Sequence, residues 1–277
     1  MSRHSIFLKT ANIVAFLLVI VVNSIIHVGD ERKQPDTEPG DNNTLSFEND
    51  NGTVPVTHLL PAEYTFKIWY LIYTLLGGFI IYQWTDAAES VTVEGIQYYH
   101  VAASILNVTW LLIWRNENLV LLDAFVLAAL FLVTFRAYNI ITEYYPPKVI
   151  WDRIFIHYPF TMYAAWTFVA TILNFWAAIS TLDTVFLSTI AIAFLGAVGV
   201  YFSDYHKRND AVFAATIAWA LTGIAVKQQD TVPILIASSV ASGLILGGVL
   251  RVLVRRFVAW WNLRQIRYNP ETDRLIP

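Results

Sequence analysis

Apolar residues in this chain come in long runs that are separated by short polar links. A helix that crosses the hydrocarbon core of a bilayer needs about 20 mostly apolar residues, and eight runs approach or reach that length. Most links are short, which predicts that consecutive helices pack against each other in antiparallel pairs. The eight predicted spans are Phe7–Ile26, Thr65–Trp84, Ile96–Trp114, Leu119–Ile141, Ile154–Ile179, Thr184–Phe202, Ala211–Val226 and Val232–Val252.

The first run begins like a secretory signal peptide, because Arg3 and Lys9 precede an apolar stretch. The residues that follow it, from Asn23 to Asp30, contain no small-x-small cleavage site. We therefore expect this segment to be retained as the first transmembrane helix.

One long polar stretch, from Gly29 to Leu60, interrupts the apolar pattern. It is rich in Asp, Glu, Asn, Pro and Gly, so it has few residues with which to build a core. It contains two N-glycosylation sequons, at Asn42 and Asn51. Both favour a lumenal or extracellular position for this loop.

The distribution of basic residues supports the same topology. With eight spans and a cytosolic N-terminus, most of the 18 Lys and Arg residues fall on the cytosolic side, as the positive-inside tendency requires. Both chain ends are then cytosolic and the sequon loop lies outside. The acidic link from Thr85 to Glu94 would lie inside without basic residues of its own. This topology favours the secretory pathway or the plasma membrane.

Composition strengthens the membrane interpretation. Hydrophobic residues make up 56% of the chain and charged residues only 14%, against about 25% charged in soluble domains. The ten Trp residues suit membrane interfaces. No basic block indicates nucleic acid, and the lack of Cys excludes disulfides and thiolate metal sites. The sequence thus predicts an all-α, polytopic membrane helix bundle with the lipid bilayer as its main partner.

The sequence shows no nucleophile elbow, no P-loop and no His/Glu pair at metal spacing. We therefore predict a protein that is not an enzyme, with no catalytic residue, no metal site and no built-in cofactor. His100 and His157 are isolated in sequence and are interpreted as residues of the bundle. Lys67 and Asp123 lie near span ends and are interpreted as reaching the interface. If the protein is a transporter, these four residues are the candidate charges of its pathway.

Polar and Trp residues recur at helical spacing in the second, third and fifth spans. Pairs three, four or eight residues apart share one side of a helix, so each span carries a stripe that could face a common interior. Converging stripes would make a mainly apolar pocket with a few polar groups, or else an ordinary packed bundle with interhelical hydrogen bonds. The candidate ligand-binding residues are Trp69, Tyr73, Asn107, Trp110, Trp166 and Asn174.

Small residues recur in the eighth span, where Ser239, Gly243 and Gly247 are four apart. Such spacing lets helix backbones approach closely. It predicts packing within the chain or in a homodimer.

Three motifs in these stripes resemble the TspO/MBR family of tryptophan-rich sensory or translocator proteins. The second span resembles its Pro…Phe-x-x-Trp-x-x-x-Tyr, the third its Leu-Asn-x-x-Trp, and the fifth its Pro…Trp…Ala…Asn pattern. All three occur in the family's order and on the corresponding helices. The matching residues are Pro61, Phe66, Trp69 and Tyr73, then Leu106, Asn107 and Trp110, then Pro159, Trp166, Ala170 and Asn174.

The resemblance covers Phe7 to Ile179 and implies a five-helix core that binds a porphyrin or haem, a sterol or a similar apolar molecule. It also implies that the link between the first two helices acts as a lid. The longer acidic link and three further spans, from Thr184 to Val252, depart from the compact members and point to the larger branch of the family.

The predicted organisation has five parts, and three functions stay open. A receptor or sensor for an apolar small molecule ranks first, a transporter or channel second, and a membrane scaffold that docks a partner through the last three spans third. The parts are a first helix at 1–28, an acidic loop at 29–60, the rest of the core at 61–180, three extra helices at 181–252 and a basic cytosolic tail at 253–277.

Overall fold

The computed structural model describes residues 2–31, 57–114, 119–205 and 209–267, and every regular element among them is helical. Each of the eight predicted apolar segments coincides with a long helix, so the all-α fold class is confirmed. The short turn Glu63–Lys67 leads directly into the second helix. The long helices are α1 Arg3–Glu31, α2 Ile68–Tyr82, α3 Tyr99–Ile113, α4 Val120–Tyr144, α5 Tyr158–Ala178, α6 Val185–Val200, α7 Ala211–Lys227 and α8 Val232–Arg267.

Five of the described helical stretches are long and apolar enough to cross a membrane by themselves. A sixth span results if α3 is joined to the segment Asp86–Ile96, to which it is bent by 65°. α7 is apolar but shorter. The five stretches are Arg3–Ile26, Glu63–Tyr82, Val120–Tyr144, Val185–Ser203 and Val232–Asn262.

The first five helices form a closed ring. α1 packs on α2 and α3, α4 joins α3 to α5, and α5 returns to α2. This order corrects the expectation from short links, because α3 packs mainly on α1 and α4 and meets α2, the helix before it, through a few side chains. The connection between α2 and α3 contains its own helical turns, which carry the chain past α1.

α5 is the central helix of the molecule. It packs against α2 and α4 inside the ring and against α7 outside it, and more than half of its residues are buried. Protein rather than lipid surrounds it, so it can carry Thr, Tyr, Trp and Asn side chains that would be costly on a lipid-facing surface. Those residues also explain why a 21-residue helix is not among the most apolar ones.

α6, α7 and α8 form a second bundle, which is attached to the ring mainly where α7 packs on α5. α8 approaches α6 closely, because a Cβ at Gly199 would lie 2.8 Å from Ile245 Cγ1. The stripe of Ser239, Gly243 and Gly247 is exposed, and a Cβ at either glycine would meet nothing within 4 Å. Among the described residues nothing packs on this stripe, and a homodimer through it stays a prediction.

The acidic link after α2 has a basic partner on another helix. The ammonium group of Lys9 in α1, which is fully buried, forms an ion pair with Glu89, and Ser5 Oγ donates to the same carboxylate at 2.7 Å. These two hydrogen bonds lower the pKa of Glu89. The link therefore lies at the same end of the ring as the N-terminus, as the predicted topology requires.

Two predicted helix boundaries are wrong. The third span was expected to begin at Ile96, but Gln97 has a φ of 48°, which a right-handed helix of L-residues cannot continue through. α3 therefore begins at Tyr99. α8 does not end near Val252 but runs to Arg267, so the first part of the predicted tail is helix. The sequons at Asn42 and Asn51 lie outside the described residues.

Candidate ligand-binding site

Three Trp side chains from three helices meet at the outer end of the ring, which we define as the end that carries the start of α2. Trp69 of α2 stacks on Trp110 of α3, with ring centroids 5.6 Å apart and planes at 29°. Trp166 of α5 meets Trp69 edge-on at 6.3 Å and 90°. All three are at most 3% exposed. The predicted convergence of the three stripes is therefore present in the structure.

More aromatic rings extend this cluster. Tyr73 stacks on Trp69 at 5.4 Å, and Tyr163 meets the same indole edge-on at 5.9 Å. Phe66 makes an edge contact with Trp166, and Trp114 lies 6.0 Å from Trp110. Offset and edge contacts of this kind stabilise by about 0.5–1.5 kcal/mol each, so these rings favour one another as neighbours in the apolar interior.

A small cavity lies inside this cluster, between the ring helices and the chain that precedes α2. Its free volume is about 30 Å³, enough for about two water molecules and far below the roughly 300–1,000 Å³ of typical ligand sites. The cavity is therefore too small for such a ligand in this conformation. The cavity is lined by Thr57, Leu60, Phe66, Trp69, Trp110, Trp114, Trp166, Ala170, Leu173, Asn174 and Ala177.

Two polar atoms on the cavity-lining side chains are buried without a hydrogen-bond partner among the described residues. They are Trp166 Nε1, a donor, and Asn174 Oδ1, an acceptor. The amide nitrogen of Asn174 is already used, because Nδ2 donates to the Ala170 carbonyl at 2.8 Å. Buried polar groups are normally satisfied, so this donor and this acceptor remain available for a bound molecule.

The indole of Trp110 is held differently. Its Nε1 donates to Asp123 Oδ2 at 3.1 Å, and Asp123 is only 1% exposed. The expectation that Asp123 reaches the interface is therefore wrong. Its position in the first turn of α4 places the carboxylate inward, behind the Trp cluster.

Tyr73 and Asn107 do not line this cavity, although both were candidates for it. The Tyr73 hydroxyl donates to Asn107 Oδ1 at 3.1 Å, which joins α2 to α3. Tyr73 instead lines an open groove of about 460 Å³ between α1 and α2. Its ring therefore lies between that groove and Trp69. The groove is lined by Phe16, Ile20, Asn23, Ser24, Tyr70, Tyr73, Thr74 and Gly77.

The outer side of the cavity is formed by residues 57–67, which we call the cover segment. Thr57, Leu60 and Phe66 of this segment line the cavity, and Leu59 is fully buried beside them. Residues 32–56, which precede Thr57, lie outside the described part of the chain. The described end of the link between α1 and α2 thus occupies the place that a lid would take.

The sequence model of one family, described as TSPO-like protein, matches residues 9–251. This chain belongs to the TSPO-like family. The resemblance inferred from the Trp and Asn motifs is thereby confirmed, and the protein is an integral membrane protein of the TSPO type. Comparisons with curated proteins and with solved structures find no match.

The match extends beyond the five-helix core that carries the motifs. The family model continues to residue 251 and so includes α6, α7 and most of the membrane part of α8. This agrees with the larger branch of the family, to which the three further spans point.

The charged candidates for a transport pathway lie elsewhere in this TSPO-like chain. His100 is buried between Phe79 and Phe160, and Lys67 is exposed. The ring nitrogen Nε2 of His157 contacts the Tyr145 carbonyl at 3.0 Å. None of them lines the cavity or the groove. Within the described residues, no group of three or more His, Asp or Glu side chains could hold a metal ion.

Several residues that line the cavity were not among the candidates chosen from the sequence. Phe66 belongs to the motif before Trp69, and Trp114 lies one turn beyond Trp110, so both could have been found from spacing. Leu60 and Thr57 could not, because they belong to a polar stretch with no helical period.

Proposed function

We propose that this TSPO-like protein binds a planar, mainly apolar molecule of the tetrapyrrole type in the Trp-lined cavity, as a receptor or sensor. The observation that carries the proposal is the combination of stacked indoles with one unpaired donor, Trp166 Nε1, and one unpaired acceptor, Asn174 Oδ1. A tetrapyrrole offers a flat face for stacking and both N–H groups and acceptor atoms. A sterol, with one hydroxyl and a thicker ring system, fits less well.

Binding requires the site to expand. The cavity of about 30 Å³ holds nothing larger than water, so a ligand must separate the rings or displace the cover segment. A planar guest that slides between Trp69 and Trp110 would replace one aromatic stack by two, which offsets part of the cost of opening. The closed form is then the unliganded state of a binding site.

The transporter alternative has less support. A pathway needs polar or charged groups along one continuous cavity, and Lys67, His100, Asp123 and His157 line neither the cavity nor the groove. The scaffold alternative rests on the exposed face of α8, which no other described residue covers. The binding role therefore has the most direct support.

Protoporphyrin IX binding to the purified full-length protein tests this proposal, with quenching of Trp fluorescence as the signal. Trp166→Phe keeps an aromatic ring and removes only the N–H donor. We expect it to weaken binding about tenfold, the worth of one hydrogen bond to a ligand. Asn174→Leu, which removes the acceptor, should have a similar effect.

Trp151→Phe is the matched control, because Trp151 is 53% exposed and lies outside the cavity. Its affinity should equal that of the unaltered protein. The proposal is wrong if Trp69→Ala, Trp110→Ala and Trp166→Ala combined leave the affinity unchanged. Cholesterol and a second porphyrin should also be compared as competitors of bound protoporphyrin IX. If cholesterol displaces it at the lower concentration, the cavity is assigned to sterols instead.

We further propose that the protein resides in membranes of the secretory pathway or at the cell surface. The sequons at Asn42 and Asn51 and the excess of basic residues on the opposite side support this location. A mobility shift after glycosidase treatment, lost in Asn42→Gln/Asn51→Gln, is the expected result. An untreated protein of unglycosylated mass would contradict the location.

A further inference from the structure

The cover segment is bound to a helix outside the five-helix ring. The backbone N–H of Ala62 donates to the Gly223 carbonyl of α7 at 2.9 Å. Trp219, one turn earlier on α7, donates from Nε1 to the Thr65 carbonyl at 2.8 Å. The rings of Trp219 and Tyr64 also make an edge contact, with their centroids 5.4 Å apart. α7 therefore contacts the cover segment at Ala62, Tyr64 and Thr65.

The end of α7 reaches the two residues that close the cavity. Gln228 Nε2 donates to the Thr57 carbonyl at 2.9 Å and to the Leu60 carbonyl at 3.3 Å. Both acceptor residues line the cavity. One half-buried side chain, on the residue directly after α7, thus binds the backbone on the outer side of the site.

The close approach of α7 depends on Gly223. A Cβ at this position would lie 2.9 Å from Thr65 Cγ2 and 3.0 Å from Thr65 Cβ, which is inside van der Waals contact. Thr65 is fully buried. Only glycine lets the two backbones come near enough for the hydrogen bond from Ala62.

A second attachment comes from the link between α5 and α6. The backbone N–H of His58 donates to Asp183 Oδ1 at 2.9 Å, and the ring Nδ1 lies 2.9 Å from the same oxygen. This pair is partly exposed, as are the contacts of Trp219 and Gln228 with the cover segment. The helix α7 and the residue after it nevertheless donate or accept more hydrogen bonds to the cover segment than this link does.

We propose that α7 controls access to the cavity, with Gln228 and Trp219 as positioning residues that keep the cover segment closed. This inference rests on the proposed function, because it takes the cavity as the ligand site. It gives the C-terminal bundle a role in that site, since without α7 the cover segment would lose its hydrogen bonds to Gly223, Trp219 and Gln228. Removing the two hydrogen bonds of Gln228 should raise the open fraction about tenfold.

The absence of Cys from the chain allows a test that needs no ligand. Ala170→Cys places one thiol in the cavity wall, at a position that is 6% exposed. N-ethylmaleimide reacts with the thiolate and is larger than the free volume of the cavity. Labelling therefore requires the cavity to open, and the labelling rate follows the fraction of protein that is open. In full-length protein in lipid nanodiscs, Gln228→Ala should speed labelling of this thiol about tenfold.

Gln229→Ala, at the exposed neighbouring residue, is the matched control and should leave the rate unchanged. Trp219→Phe removes one hydrogen bond while keeping an aromatic ring, and should speed labelling less than Gln228→Ala. A thiol at the exposed Asp230 gives the reference rate for an open position. Equal rates for the cavity thiol with and without Gln228→Ala would overturn the proposal and assign access to the groove between α1 and α2.

Porphyrin kinetics separate this inference from the proposed function. If protoporphyrin IX binds, Gln228→Ala should speed its dissociation about tenfold, and an unchanged rate would count against α7 while leaving the binding function intact. If protoporphyrin IX does not bind, the proposed function fails, and the labelling ratio alone still decides whether α7 holds the cover segment.

Discussion

Gly223→Ala is the substitution for which the structure makes the sharpest stability prediction. Gly223 lies in the interior of α7, where Ala normally stabilises a helix by about 1 kcal/mol relative to Gly. Its Cβ would collide with Thr65, because even Thr65 Cβ would be only 3.0 Å away. At Gly223, helix propensity therefore favours Ala, while the packing of α7 against the cover segment favours Gly.

The packing effect should be the larger one. Overpacking a buried contact costs about 1–3 kcal/mol, and separating α7 from the cover segment also lengthens the bond between Ala62 N and Gly223 O, worth about 1 kcal/mol. After subtraction of the helix preference, Gly223→Ala should lower the free energy of unfolding by about 1–3 kcal/mol. The neighbouring aromatic contact of Trp219 should loosen with it.

Unfolding by SDS in mixed micelles, followed by near-UV circular dichroism, measures this loss. Gly243→Ala is the matched control, because the same added methyl group meets nothing within 4 Å, and it should leave stability unchanged or slightly raised. Gly223→Ala/Thr65→Ala removes the colliding Oγ1 and Cγ2 atoms and should recover part of the loss. If Gly223→Ala is as stable as Gly243→Ala, the close approach of α7 to the cover segment is wrong.

Two more predictions concern buried polar partners. Glu89→Gln should lower stability by about 1 kcal/mol at neutral pH, a value reduced for the partial exposure of the carboxylate. Because Lys9 lowers the pKa of Glu89, this contribution is complete above the unfolded pKa of about 4.3 and is lost as the pH falls through the lower folded value; a difference that persists at pH 2 would contradict it. Asp123→Leu removes the acceptor of the Trp110 indole N–H and should cost about 1–3 kcal/mol with a change in Trp fluorescence. Asp123→Asn keeps an acceptor oxygen and should cost less, and an equal loss in both variants would refute the hydrogen-bond explanation.

The helices and the Trp cluster could be predicted from sequence because both depend on local patterns. Apolar runs locate all eight helices, and the spacing of Trp69, Trp110 and Trp166 within their helices places them on interior faces. The family resemblance rests on the same residues, which explains why it identified the correct family.

The arrangement around the site could not be predicted in this way. Link length does not encode that α3 packs beside α1, since the connection after α2 makes turns of its own. The role of Asp123 depends on which way the first turn of α4 faces. The contact of α7 with the cover segment uses backbone carbonyls and a glycine, which leave no mark on hydrophobic periodicity.

The attachment of the cover segment to α7 has a consequence for biosynthesis. The hydrogen bond from Gln228 to the Thr57 carbonyl joins residues 171 positions apart. At about 5–20 residues per second, Gln228 emerges roughly 10–35 s after Thr57. The aromatic cluster therefore becomes complete when α5 is inserted, while its outer closure waits for α7. Between the insertion of α5 and that of α7, the cover segment lacks the hydrogen bonds from α7 and Gln228, and a chain that stops after α5 would never form them.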